Sequence, residues 1–208
     1  MRLIKYVVNL VKRSPAPSFI VAIFLSLRWK CRVSLAARIF YPSNIVVGKG
    51  SRIGRCHIIA NGTGLTIGCN VSISDNVILD VHHGSINLHD NVAIGPFVVM
   101  YGEGGVSIGD YTMIATHSTI VATSHVFEST RIPMKLQGTI AKGIAIADDV
   151  WIGAHAVIQD GISIDTGAII GSGSIVTRSV PEYTIVAGVP AKVIRSRKDA
   201  CAVEATVK

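Results

Sequence analysis

The sequence predicts an all-β solenoid made of very short strands. One observation is periodic: large aliphatic side chains recur every six residues, at Ile67, Ile73 and Leu79, at Leu88, Ile94 and Met100, at Ile108, Ile114, Ile120 and Val126, and from Ile146 through Ile152, Ile158, Ile164 and Ile170 to Val176. A step of six fits neither a 3.6-residue helix nor a simple alternating strand. It fits hexads joined by turns, three to a triangular coil, with the aliphatic stacked inward. A second observation is positional: a small or turn-forming residue follows the aliphatic, as at Gly68, Ser74, Asp80, Gly95, Gly109 and Gly153, and a second small or β-branched residue stands four positions on, as at Val71, Val77, Val98, Ala156 and Ser174. The third is compositional: 49% apolar and 16% charged residues, with 20 Gly, exclude a disordered chain and argue against a helical bundle.

Along the chain, the first segment is residues 1–44, a basic and apolar extension. Residues 1–40 carry eight basic side chains (Arg2, Lys5, Lys12, Arg13, Arg28, Lys30, Arg32, Arg38) and no acid, a charge of +8, while the remaining 168 residues carry 12 basic and 13 acidic ones, −1. A basic head on a neutral body points to a local partner, and an anionic membrane surface fits that chemistry. The uncharged run 14–27 is 14 residues long, short of the roughly 20 that a spanning helix needs. It reads as an interfacial or re-entrant anchor or as a helical cap packed on the body of the domain. The solenoid follows over 45–195. One coil buries too few side chains to offset its own chain entropy, so seven or eight must stack. The step of six breaks by nine residues after Leu79, by eight after Met100 and by twenty after Val126. The last break, 127–145, is a polar stretch with Glu128, Arg131, Pro133 and Lys135, expected to be an extruded loop; a loop of that length in a compact repeat is usually functional. Residues 196–208 form a tail without pattern.

Around that loop the motifs become specific. The stretch from Val106 to His125, then Val150-Trp151-Ile152-Gly153-Ala154-His155, Gly171-Ser172-Gly173-Ser174-Ile175-Val176-Thr177-Arg178 and Ala187-Gly188-Val189-Pro190-Ala191-Lys192-Val193-Ile194, resembles the hexapeptide-repeat acyltransferases, in particular their sugar O-acetyltransferase branch of maltose, galactoside and polysaccharide enzymes. The resemblance covers residues 45–195. It implies a left-handed parallel β-helix with a short C-terminal cap, acetyl-CoA as the acyl donor, a sugar or glycan acceptor in surface-polysaccharide or lipid-linked glycan assembly, and a homotrimer with sites between subunits. By the same resemblance His125 is the catalytic base. A sugar hydroxyl needs its proton removed as it attacks a thioester, and imidazole, with an ordinary pKa of about 6.5, can take it near neutral pH. Transfer is expected to be direct, since no cysteine or serine is flanked by an evident base. Coenzyme A is assigned to Ala154, Ser172, Thr177, Arg178, Lys192 and Arg195, the three cations serving its phosphates. Glu103 matches an acceptor-contacting acid, Trp151 is expected to wall the site, and His82 and His83 either sit on an exposed turn or line the acceptor cleft. An acceptor-contacting Asn of the family is matched by Gly95.

Two other readings compete. A γ-carbonic-anhydrase-like zinc enzyme would use His82 or His83 with His117 and His125, but the eight residues from His117 to His125 exceed that family's pairing, so no metal is expected. A non-catalytic solenoid docked on a membrane through residues 1–40 would bind no coenzyme A. Nucleic acid is not expected, because the basic head has no recognition motif. Cys31, Cys56, Cys69 and Cys201 form no regular spacing and read as reduced fillers. The expected location is the cytoplasm, peripheral at the inner face of the cell membrane.

Overall fold

The computed structural model of the protein describes residues 18–199. Three sheets, parallel but for the last strand of one, form the faces of a prism. The first has nine strands, among them Arg52–Ile53, Ser72–Ile73, Met113–Ile114 and Trp151–Ile152; the second has seven, among them Ile78–Asp80 and Val157–Ile158; the third has six, among them Val106–Ile108 and Ile144–Ile146. Each strand pairs with the one a full turn away in the chain, so the seven-stranded sheet collects one strand from each of seven successive coils. Strands of two to four residues suffice because the main chain bonds to the next coil and not to itself: Ser72 donates to the carbonyl of Val92 at 2.9 Å and Gly95 to that of Ile114 at 2.7 Å. Side chains alternate across each strand, one inward and one outward. Fifteen of the sixteen periodic aliphatics are buried, and Val71, Val77, Val98, Ala156 and Ser174 fill the second inward position.

Val126 is the exception. It is half-buried and outside the coil, because the chain leaves the coil after the buried Ala122, and the Val126 amide donates to the carbonyl of Gly138 within the loop. The coils also exceed three hexads before the loop. Arg32 pairs with Arg52, Arg52 with Ser72, Ser72 with Ala93 and Ala93 with Met113, steps of 20 or 21; after the loop Trp151 pairs with Ile169, a step of 18. The extra residues lie on one edge of the prism, between the seven- and six-stranded sheets. Successive coils stack closely there: a Cβ at Gly84 would collide with the carbonyl oxygens of Gly102 and Glu103.

The ladder begins at Arg32–Val33 and Arg38–Phe40, inside the segment assigned to the N-terminal extension. Ahead of it, helix α1 (Ser18–Trp29) closes the end of the solenoid. Val21, Ala22 and Leu25 are buried against the first coil; the Cys31 thiol donates to the carbonyl of Leu25 at 3.6 Å and the Val33 amide to Ser26 Oγ at 3.2 Å. The cap reading of the apolar run therefore describes one side of this helix. Among the described residues no helix is long and apolar enough to cross a membrane. Arg2, Lys5, Lys12 and Arg13 of the basic head, Cys201 and the last residues of the tail lie outside the described residues. At the other end, Lys192–Ser196 turns back antiparallel on Thr184–Ala187 and terminates the nine-stranded sheet.

Candidate active site

The extruded loop leaves the widened edge as a hairpin. Ser124–His125 pairs antiparallel with Thr139–Ile140, setting His125 opposite Thr139. Inside the loop Gln137 holds the turn, accepting from the Ser129 amide at 3.0 Å and donating to the carbonyls of Ser129 and Ile132 at 2.8 and 2.7 Å. The return strand is fixed by Asp160 from the next coil, whose Oδ1 accepts from the amides of Lys142 and Gly143, each at 2.9 Å. Between this hairpin and the following coil lies a cleft of about 630 Å³, lined by His125, Ser124, Phe127, Ile140, Val157 and Gln159 among others. The His125 ring is exposed to this cleft and bonds to no described residue, so both nitrogens are free to meet an incoming group. Glu128, Lys142 and Asp160 put charges of both signs around it.

The same edge gathers other residues assigned from the sequence. His82 and His83 lie on its corner two coils before the loop, their rings edge-to-face at 5.1 Å, both exposed and outside the cleft. Glu103 lies one coil before the loop, where its Oε1 accepts from Thr139 Oγ1 at 3.5 Å; it reaches the His125 hairpin through Thr139. Thr177 and Arg178 follow the strand Ile175–Val176, which stacks on Val157–Ile158 of the cleft wall. Trp151 is elsewhere. It stands on the outer face of the nine-stranded sheet beside Met113 and Ile169, over a shallow groove that also contains Gly95, and does not line the His125 cleft. Ala154 and Ser172 occupy the edge between the nine- and seven-stranded sheets, where the Gly173 amide donates to the carbonyl of Ala154 at 2.8 Å. Lys192 follows Ala191, whose amide bonds to the carbonyl of Ile175; with Arg195 it lies exposed on the cap strand.

No protein-family model matches the chain. A probable acetyltransferase of Mycobacterium tuberculosis is 30% identical over 189 residues, covering 91% of this chain and 61% of that protein. The putative lipopolysaccharide biosynthesis O-acetyl transferase WbbJ of Escherichia coli is 30% identical over 171 residues, covering 77% of this chain and 83% of the relative. The chain belongs to the hexapeptide-repeat acyltransferases. The crystal structure of AntD, an N-acyltransferase from Bacillus cereus, in complex with dTDP and 3-hydroxybutyryl-CoA, has the same fold, with a TM-score of 0.61, 24% identity and coverage of 85% of this chain and 86% of the other.

In this acyltransferase the histidines of the zinc reading are divided between two edges: His82, His83 and His125 share the edge of the loop, and His117 lies on another. His117 is stacked between Phe97 and His155 at centroid distances of 4.8 Å on the edge that carries Ala154, with Thr116 Oγ1 2.7 Å from its Nδ1. Among the described residues no three metal-ligating side chains converge. Lys142 and Asp160, which line the cleft, and Thr139, which pairs with His125, are residues that sequence reasoning missed. The signal for Asp160 was its position: it falls in the next corner of the same edge after the interruption, where a returning strand needs its amides held.

Proposed function

We propose that the protein transfers an acetyl group from acetyl-CoA to a sugar hydroxyl in glycan assembly, with His125 as the general base. The observation that carries this reading is the position of His125, on a clamped hairpin walling an open cleft with its imidazole unengaged. In the proposed step imidazole takes the hydroxyl proton as the oxygen attacks the thioester carbonyl. The tetrahedral intermediate then collapses, the C–S bond breaks, and the imidazolium returns the proton to the departing thiolate of coenzyme A. General-base assistance of this kind is worth about 10²–10⁴ in rate. Arg178, Lys192 and Arg195 pair with no described carboxylate and are available to phosphates. Glu103, His82 and His83 share the edge of the cleft and are assigned to the acceptor side; an acceptor carried on a lipid would meet the protein at a membrane surface.

The residues assigned to the donor, and Trp151, are spread around one prism: Thr177 and Arg178 on the His125 edge, Ala154 and Ser172 on the next, and Trp151, Lys192 and Arg195 on the nine-stranded sheet. A second copy that sets its Ala154 and Ser172 edge against the His125 edge of the first would complete the site, and a threefold ring does this three times. The loop has the side chains for such a contact: Phe127, Met134 and Leu136 are more than half exposed.

The test begins with acetyl-CoA and a panel of glycans and nucleotide sugars, read by mass spectrometry for an added acetyl mass. His125→Ala is expected to lose at least about a hundredfold in transfer rate while its thermal shift with acetyl-CoA persists. Near-normal turnover in that variant removes His125 as base, and absence of any acetyl-CoA shift in the parent protein overturns the acyltransfer reading.

A further inference from the structure

Helix α1 buries one side against the first coil and leaves the other without a partner among the described residues. Phe19, Ile23 and Leu27, four residues apart, form an outward ridge and are 51%, 47% and 78% exposed. A helix that is apolar all round is ordinarily covered on every side. The ridge belongs to the most one-signed part of the molecule. Residues 18–74 hold seven lysines and arginines and not one Asp or Glu; the first acid in the chain is Asp75. In a solenoid, order along the chain is order along the axis, so these charges form one end of the prism. Arg32 and Arg52 are adjacent on the outer face of the nine-stranded sheet, Arg28 lies over the rings of Phe24 and Trp29, and Lys30 and Arg55 are exposed. None of the seven pairs with a described carboxylate. The two ion pairs among described residues, Arg197–Asp149 and Lys198–Glu182, lie at the opposite end.

We propose that this end of the solenoid docks on an anionic lipid bilayer, the Phe19–Ile23–Leu27 ridge entering the headgroup boundary and the surrounding cations meeting lipid phosphates. Both parts of the recognition are present together. A short apolar ridge gives shallow insertion, basic residues near the surface add attraction to anionic lipid, and neither suffices alone for stable binding. At 12 residues the helix is about 18 Å long, enough to lie on a leaflet and too short to span it. Docking by this end would place the cleft four coils along the axis from the surface. The inference does not rest on the acetylation reading, because docking is measured without any substrate.

The experiment is flotation of the full-length protein with phosphatidylcholine vesicles and with vesicles containing roughly one third phosphatidylglycerol, at low and high salt. Binding is expected to the anionic vesicles, weakened by salt, and reduced at least about tenfold by Ile23→Glu with Leu27→Glu and also by Arg32→Glu with Arg52→Glu. Both pairs are outward-facing; circular dichroism and the melting temperature check that each variant is folded, and the arginine pair stands in if the helix pair fails to fold. Three results overturn the proposal: no binding above that to neutral vesicles, equal binding by the parent and both variants, or no vesicle binding together with a changed oligomeric mass in the ridge variant, which would assign the ridge to a second copy of the chain. Retention on DNA without vesicle binding counts against it equally.

Discussion

Cys56 shows how little room the prism leaves inside. Its thiol is 5% exposed and its pKa is pushed up from the ordinary 9.0 to about 12, chiefly by burial, with the Asp75 carboxylate adding to the effect. The folded protein therefore keeps this proton over a range where the unfolded chain releases it. The stabilisation is fully present below pH 9, and it is lost progressively as pH rises from 9 towards 12. Chemical denaturation of the parent and of Cys56→Ala across that range is expected to show a steeper decline in the parent, by up to about 1.4 kcal/mol per pH unit. Parallel curves would mean that burial does not hold the thiol neutral. Asp75 illustrates a different use of a corner: its Oδ1 accepts from the Arg55 amide of the preceding coil at 2.8 Å, and on another edge Asp90, Asp110 and Asp148 repeat the same bond with Cys69, Asp90 and Asp110. These carboxylates tie coil to coil where the sheets end.

The hairpin bearing His125 departs from this stacking between two coils, and Asp160 is what returns it. Three contacts of 2.9 Å join its carboxylate to the amides of Lys142 and Gly143. Hydrogen bonds to a charged acceptor are worth about 1.5–3 kcal/mol each, so Asp160→Ala should free the return strand while the coils remain. The expected outcome is at least about tenfold faster amide exchange at residues 139–143, a lower kcat, a little-changed KM for acetyl-CoA, and recovery in Asp160→Asn, which keeps one acceptor oxygen. Loss of acetyl-CoA affinity with unchanged exchange would contradict a positioning role. The existence of this element was legible in the sequence, because a step of six repeated so often makes a gap of twenty conspicuous. Its point of departure was not: Val126 continues the period by coincidence, and only the packing of Ala122 shows that the coil has already ended. The widened corners before it were legible as breaks of nine and eight, yet a break does not say that all of them share an edge. The ring column was hidden for a related reason, since Phe97, His117 and His155 are 20 and 38 residues apart and become neighbours only once coil length and loop length are both known.

Across the whole molecule a solenoid turns sequence order into spatial order, which separates functions that a globular fold would intermix. Basic charge and the apolar ridge are at one end, the cap with Lys192 and Arg195 is at the other, and the cleft lies between them. The prism also separates residues around its axis: His125 and Glu103 on one edge, Ala154 and Ser172 on the next. A flat-faced rod cannot fold one of its edges onto another, so a site that needs both must borrow an edge from a neighbour. This gives a test by complementation. His125→Ala removes the proposed base and leaves the Ala154 edge intact; Ser172→Trp blocks that edge and leaves His125 intact. Each variant alone is expected to be inactive on the acceptor found by the acetyl-mass screen. Refolded together in equal amounts, they would form mixed assemblies in which a site is sound when its His125 comes from one kind of copy and its facing edge from the other. With random mixing each condition holds half the time, so about a quarter of the parent's activity should return. A site contained within one chain would return none, because every copy in the mixture carries one of the two lesions.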